Sequence, residues 1–306
     1  MIAGLISIGT NSTRALAADV SGGAAKTLLH RSTGTRIGEG LRERGHLDEA
    51  AMQRTLQAIR EHCEAMAPLQ PRMHAIATSA LRRADNAAEF AKRVSEIAGA
   101  ELQIISGDDE ARYSFIGAVS GFERHEDERY GVLDTGGGSS EYAAGSKSGP
   151  DRIVSCEIGA VRLTEAVPEL SGTHGAVSES ALDRARGLTA SALREIGSFE
   201  KVDRLVFVGG SATTLVALLA GKREPFTYAP LSRAGLHNAI QTLRSTALQE
   251  RKALGGMNPQ RADILLAGAL ILDEVFARTL HERATVSTND LLLGFLLRCY
   301  LSDTAA

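Results

Sequence analysis

Residues 131–142 read Gly-Val-Leu-Asp-Thr-Gly-Gly-Gly-Ser-Ser-Glu-Tyr, and no other run narrows the choice of fold so far. Val132 and Leu133 have the character of a buried strand, and Asp134 stands where that strand ends. Gly136, Gly137 and Gly138 then remove every Cβ from the turn, so a bulky anion can approach the main-chain N–H groups. Ser139 and Ser140 add hydroxyl donors. Asp134 and Glu141 bracket the turn with hard oxygen ligands of the kind that share Mg2+ with a substrate phosphate, Mn2+ being the alternative ion. A glycine-rich hairpin with solvated acids is the competing reading, and an echo of the pattern near the N-terminus separates the two.

That echo is Leu5 to Ile8 followed by Gly9-Thr10-Asn11-Ser12. Laying Gly9 on Gly136 pairs Ile6 with Leu133, Ser7 with Asp134 and Ser12 with Ser139 at a constant offset of 127 residues. Ser79 and Ser211, each at a strand-to-helix turn, pair at an offset of 132. Internal duplication on this scale implies two similar α/β halves. Their glycine turns are expected to face one another across a cleft that takes the ligand, with Ser7 pointing into it opposite Asp134.

The pattern between these turns supports the duplication. Thr13 to Val20 and Lys26 to Thr33 read as strands around Ser21-Gly22-Gly23, Met73 to Ala77 and Leu102 to Ile105 as two more. Met52, Leu56, Ile59, Cys63 and Met66 recur at helical spacing behind a cap at Asp48, Asn86 with Glu89 resembles a capping box, and a helix follows from about Asp108. The second half restarts with strands at Tyr130 to Leu133, Ser140 to Ala144 and Ile153 to Cys156, a helix from Ser178 to about Ile196, a strand at Arg204 to Val208 and a helix from Ser211. From Leu231 onward the pattern reads as helical throughout, with Asn258 as a cap, Pro259 in the first turn and a last helix at Asp290 to Tyr300.

A chain of 306 residues has room for two domains, placed at 1–125 and 126–306, with the C-terminal helix packing back on the first. Its formal net charge of −3 gives no support to a nucleic-acid or membrane partner, so a polyanionic substrate has to be met by local basic groups. Cys63, Cys156 and Cys299 lie far apart without a CxxC pair, which fits a reducing compartment and excludes a zinc-ribbon pattern. The longest apolar runs, such as Ile264 to Leu272, are too short to span a bilayer, and Met1 to Arg14 does not read as a signal peptide. The expectation is a cytoplasmic protein. No GxxxxGK(S/T) loop is present, and none of the eight histidines falls in a recognisable metal-ligand spacing.

Taken together, Ile8-Gly-Thr-Asn-Ser-Thr-Arg14, Thr35-Arg-Ile-Gly-Glu-Gly40, Ala77-Thr-Ser-Ala-Leu-Arg82, Ile105-Ser-Gly-Asp-Asp-Glu-Ala-Arg112, Asp134-Thr-Gly-Gly-Gly-Ser-Ser-Glu141, Gly159-Ala-Val-Arg-Leu-Thr-Glu165 and Val208-Gly-Gly-Ser211 occur in the order found in the Ppx/GppA family. The chain resembles that family over nearly its whole length. The resemblance implies two ribonuclease-H-like domains of the actin/hexokinase/Hsp70 type with an interdomain cleft, and Mg2+-dependent release of terminal phosphate from inorganic polyphosphate or from guanosine pentaphosphate (pppGpp). By the same resemblance Glu110 matches the catalytic glutamate that orients and helps deprotonate the attacking water, and Asp134 and Glu141 match the metal ligands. Thr10, Asn11 and Ser12 match one phosphate loop, Gly136, Gly137, Gly138 and Ser139 the other, Arg82 a phosphate-binding arginine, and Gly209, Gly210 and Ser211 the glycine turn of the second domain. A homodimer is the expected assembly.

Two departures stand out: the family's first loop opens with an aspartate where this chain has Ser7, and near the C-terminus it shows a glycine and an arginine at Asp290 and Leu292. They motivate a competing reading as a non-catalytic phosphate- or nucleotide-binding module. A kinase of the same superfamily is a weaker candidate, because the resemblance at Glu110 is to the phosphatase branch.

Overall fold

A computed structural model describes residues 1–21, 25–123, 127–196 and 201–300. The boundary expected at 125–126, His125 and the glycines of the Ser21-Gly22-Gly23 turn lie outside the described residues. The chain divides into two compact units, Met1–Gly117 with the segment from Leu291 onward, and Ala118–Asp290.

In the first unit β1 (Ile2–Ile8), β2 (Thr13–Asp19) and β3 (Lys26–Thr33) form an antiparallel meander, followed by α1 (Leu41–Arg44) and α2 (Glu49–Met66). Next come β4 (Arg72–Ala77), α3 (Ser79–Arg83), α4 (Ala87–Ala98), β5 (Leu102–Ile104) and α5 (Gly107–Val119). The five strands lie in the order β3-β2-β1-β4-β5, with β4 parallel to β1 and β5 parallel to β4. Both faces are covered, as a sheet with parallel strands requires. Ile6, Ile8, Ala15, Ala17, Ala75 and Ala77 pack with residues of α2 and α4. Their out-of-phase neighbours Ala3, Leu5, Leu16, Ala18 and Ile76 pack with α12 (Leu291–Tyr300), the last helix of the chain.

The second unit repeats this plan. β6 (Tyr130–Thr135), β7 (Ser140–Ser146) and β8 (Gly149–Cys156) form the meander, followed by α6 (Ala160–Ala166), α7 (Glu179–Ala192), β9 (Arg204–Val208) and α8 (Gly210–Ala220). The unit is completed by β10 (Tyr228–Ser232), α9 (Arg233–Ser245), α10 (Leu248–Ala253), α11 (Leu265–Thr279) and β11 (Arg283–Ser287). Its sheet order, β10-β11-β9-β6-β7-β8, is the first sheet read backwards with β10 added at one edge. Register shows the duplication directly. Ser7 lies opposite Arg14 as Asp134 lies opposite Glu141, each residue displaced by 127. Ser7 runs beside Ile76 as Asp134 runs beside Val208, where the step is 132. The two offsets read from the sequence are therefore the registers of two ribonuclease-H-like sheets.

Two sequence expectations need correction. The region after Leu231 is not all helix: β11 pairs in parallel with β9, and β10 holds the sheet edge, where Pro230 costs no interior ladder bond. Five-residue strands beside long amphipathic helices leave too little alternation to read. Asn86 does not cap α4. Its carboxamide is taken by the main chain of Leu47, accepting from N at 2.8 Å and donating to O at 3.0 Å, so it ties the α1–α2 connection to α4 instead. The Asp48 cap on α2 forms as read, accepting from Ala51 N at 3.1 Å. Among the described residues no helix is long and apolar enough to cross a membrane.

Candidate active site

The second unit brings Asp134 and Glu141 to directly opposed positions on β6 and β7, and both are nearly buried. Directly opposed side chains on an antiparallel pair lie about 5 Å apart at Cβ, and like charges there repel. Glu141 Oε1 accepts from Ser155 Oγ at 3.0 Å, across β8. Two hard carboxylates in one buried row fit a divalent ion that takes its remaining ligands from water and substrate phosphate. Among the described residues there is no group of three or more His, Cys, Asp or Glu that could hold a metal ion. Cys156, at the end of β8, has its thiol pushed up to about 11 by burial and by the Glu141 charge, so it is no nucleophile at neutral pH.

The turn after Asp134 is closed by Gly136 N donating to Ser139 O at 3.0 Å. Its counterpart in the first unit, Gly9 N to Ser12 O, has the same length. Among the described residues the amides of Thr10, Asn11, Gly137, Gly138 and Ser139 donate to no main-chain acceptor. Thr10 Oγ1, Asn11 Oδ1 and Thr135 Oγ1 are buried without a hydrogen-bond partner there. Buried polar groups are rarely left so in folded proteins: the two hydroxyls can donate to an oxygen-rich anion, whereas Asn11 Oδ1, an acceptor, suits a cation or a donor.

Arg82 and Glu110 come together in the first unit, from the last turn of α3 and the first turn of α5. Arg82 Nη1 donates to Glu110 Oε2 and to Ile105 O, both at 2.9 Å, while Arg82 Nη2 is buried without a partner among the described residues. Capping of α5 is done by others: Ser106 Oγ accepts from Asp109 N and donates to Asp109 Oδ2. Glu110 is a nearly buried carboxylate held by one arm of a guanidinium whose other arm is aimed elsewhere.

Gly209, Gly210 and Ser211 form the turn into α8, with Gly209 at φ +92. A Cβ on Gly209 would come within 2.9 Å of Asp134 Oδ1, so this glycine lets the Asp134 carboxylate lie against the main chain. Gly210 is likewise bare because the Arg261 guanidinium occupies the space a Cβ would take. Arg261 was missed from sequence; a single arginine after Asn258-Pro259 carries no local signal. Gly209→Ala is expected to lower Tm, since a left-handed non-glycine residue costs about 1–2 kcal/mol, and to weaken Mn2+ binding by displacing the carboxylate. Calorimetric unfolding and Mn2+ titration followed by EPR check both halves; an unshifted titration in the folded variant contradicts the link to Asp134.

The two departures fall on one face of the first sheet. Ser7 is in phase with Leu5, and Leu292 on α12 is buried in the cluster that holds Leu5, Leu16 and Ile76. Asp290, just before α12, is nearly buried.

A model of the Ppx/GppA phosphatase family matches residues 16–298. The chain is 35% identical over 312 residues to exopolyphosphatase 2 of Mycobacterium tuberculosis, covering 95% of this chain and 96% of that protein. It is 29% identical over 307 residues to a bifunctional 3-dehydroquinate synthase/phosphatase of Fusobacterium nucleatum, covering 95% of this chain but only 46% of that one, so it spans less than half of this second relative. Among solved structures it is similar to the Aquifex aeolicus Ppx/GppA enzyme, with TM-score 0.80, 28% identity and coverage of 97% and 99%. An exopolyphosphatase from Cytophaga hutchinsonii superposes with TM-score 0.88 at 24% identity over 98% of each chain, a likeness that speaks to the fold.

Proposed function

The chain belongs to the Ppx/GppA phosphatase family, and we propose that it is a phosphoanhydride hydrolase that releases terminal phosphate from inorganic polyphosphate. The observation that carries this reading is the glycine turn of each unit, with amides and hydroxyls left unused, because such donors fit phosphate oxygens. Phosphoryl transfer needs positioning and charge neutralisation more than covalent help. Asp134 and Glu141 would hold Mg2+ or Mn2+, which when bound neutralises charge on the phosphates. The amides of the two turns bind phosphate oxygens. Arg82 Nη2 takes a further oxygen, while Nη1 keeps Glu110 oriented as the group that positions water and accepts its proton.

Hydrolysis of pppGpp is the second reading, favoured by the Gly209–Ser211 turn, where Ser211 Oγ is buried without a partner among the described residues and Arg261 packs against Gly210. Initial rates of phosphate release from polyphosphates of several lengths, pppGpp and ATP, measured in parallel with Mg2+, decide between them. The first reading expects polyphosphate to have the highest kcat/KM. A preference for pppGpp replaces it with the second, and binding without release from any of them leaves a non-catalytic binding module. A homodimer and a cytoplasmic location complete the proposal.

A further inference from the structure

The two phosphate turns are backed by segments that meet their carbonyls. In the first unit Arg36 N donates to Asn11 O and Gly38 N to Thr10 O, each at 3.0 Å. In the second, Ala160 N donates to Gly136 O at 2.9 Å, and Val161 N and Arg162 N donate to Gly137 O at 2.9 and 3.1 Å. Both approaches run over a glycine. A Cβ on Gly38 would overlap Thr10 Cγ2, and one on Gly159 would fall 2.5 Å from the carbonyl carbon and oxygen of Gly137. The first segment is also strained: Arg36 sits at φ +53, a conformation that disfavours a side chain, at the residue whose N–H meets Asn11 O.

A main-chain turn is amphoteric. Its amides attract a phosphate oxygen, and its carbonyls repel one unless something turns them away and neutralises their partial charge. We propose that Gly38 and Gly159 are positioning residues that let these backing segments dock, so that the carbonyls of Thr10, Asn11, Gly136 and Gly137 are consumed and the amides of each turn are left to face the ligand. The proposal rests on the phosphoanhydride reading, and it assigns a role to two motifs, 35–40 and 159–165, that the sequence marked without explaining. Neither glycine needs to touch the substrate. Each acts by fixing which way the neighbouring peptide groups point.

Ala160 gives the cleanest test. It is the first residue of α6, a position that tolerates proline, and Gly159 before it is extended (φ −145, ψ 174), as a residue preceding proline should be. Ala160→Pro thus deletes one backing N–H while preserving the helix, and Ala160→Ser keeps that N–H. In a Glu110→Gln background, where turnover does not consume the probe, tripolyphosphate binding with Mg2+ is measured by calorimetry. The expected result is a loss of roughly tenfold in affinity for Ala160→Pro, the effect of about one charge-assisted hydrogen bond, with Ala160→Ser unchanged. Gly159→Ala and, in the other unit, Gly38→Ala are expected to weaken binding similarly, and they carry the test if the proline variant does not fold. Wild-type affinity in the folded variants overturns the proposal. No tripolyphosphate binding by the Glu110→Gln parent overturns the phosphoanhydride reading, and this proposal with it.

Discussion

Glu110→Gln is expected to lower kcat by about 10²–10⁴-fold while KM stays within about threefold. Glutamine keeps the size of the side chain and can still accept from Arg82 Nη1, so the fold and the arginine's placement survive. What is lost is the capacity to take a proton from water, a requirement of the transition state and not of binding. Arg82 is also relieved of its carboxylate and attracts the anionic substrate more strongly, so the small change in KM is expected to be downward. A structural role for Glu110 predicts a different pattern: a lower Tm with kcat intact per folded molecule. Steady-state kinetics on the purified variant, with Tm measured alongside, separate the two, and an unchanged kcat would sink the catalytic assignment.

Asp134→Asn is expected to weaken Mg2+ or Mn2+ binding on the order of 10²–10³-fold. At an effective dielectric near 20 a unit charge and a divalent ion about 4 Å apart attract by about 8 kcal/mol, and the desolvation of the pair with the amide oxygen that remains in asparagine offsets roughly half of it. The same change should leave the metal-free protein at least as stable, because Asp134 and Glu141 are directly opposed on β6 and β7 and repel when no cation lies between them. The combination is diagnostic, since most substitutions of a nearly buried strand residue lower Tm. Mn2+ titration by EPR gives the affinity without any assay of turnover, and calorimetry in chelator gives the stability. A wild-type titration, or a large fall in chelated Tm, would contradict the assignment of Asp134 as a ligand.

The fold was unusually legible because the chain carries it twice. The 127-residue offset that lays Ser7 on Asp134 needs no propensity scale, and it returns as matching register in two sheets. Capping chemistry was legible where the acceptor and its amide are two or three residues apart, as at Asp48 and Asn258. It failed at Asn86, whose partner is 39 residues away on the α1–α2 connection. The short strands β10 and β11 were missed because their place is set by the ladder they join and not by their own pattern. For the site, residue types around the glycine turn pointed to Asp134 and Glu141, and the resemblance to the family pointed to Glu110. Sequence was silent on what Arg261, Gly38 and Gly159 do, and on the pairing of Arg82 with Glu110, because each contact is with a neighbour remote in the chain: Gly210, Thr10, Gly137 and Glu110.

The central claim, which remains our proposal, is that water positioned by Glu110 attacks the terminal phosphorus of a polyphosphate. Hydrolysis of tripolyphosphate in ¹⁸O-enriched water with Mg2+, followed by ³¹P NMR, tests it most directly. The account predicts orthophosphate carrying one solvent oxygen and pyrophosphate carrying none, at a rate that collapses in Glu110→Gln. Label appearing in pyrophosphate would place attack at the internal phosphorus, and label entering neither product would mean that this chain does not catalyse the hydrolysis at all.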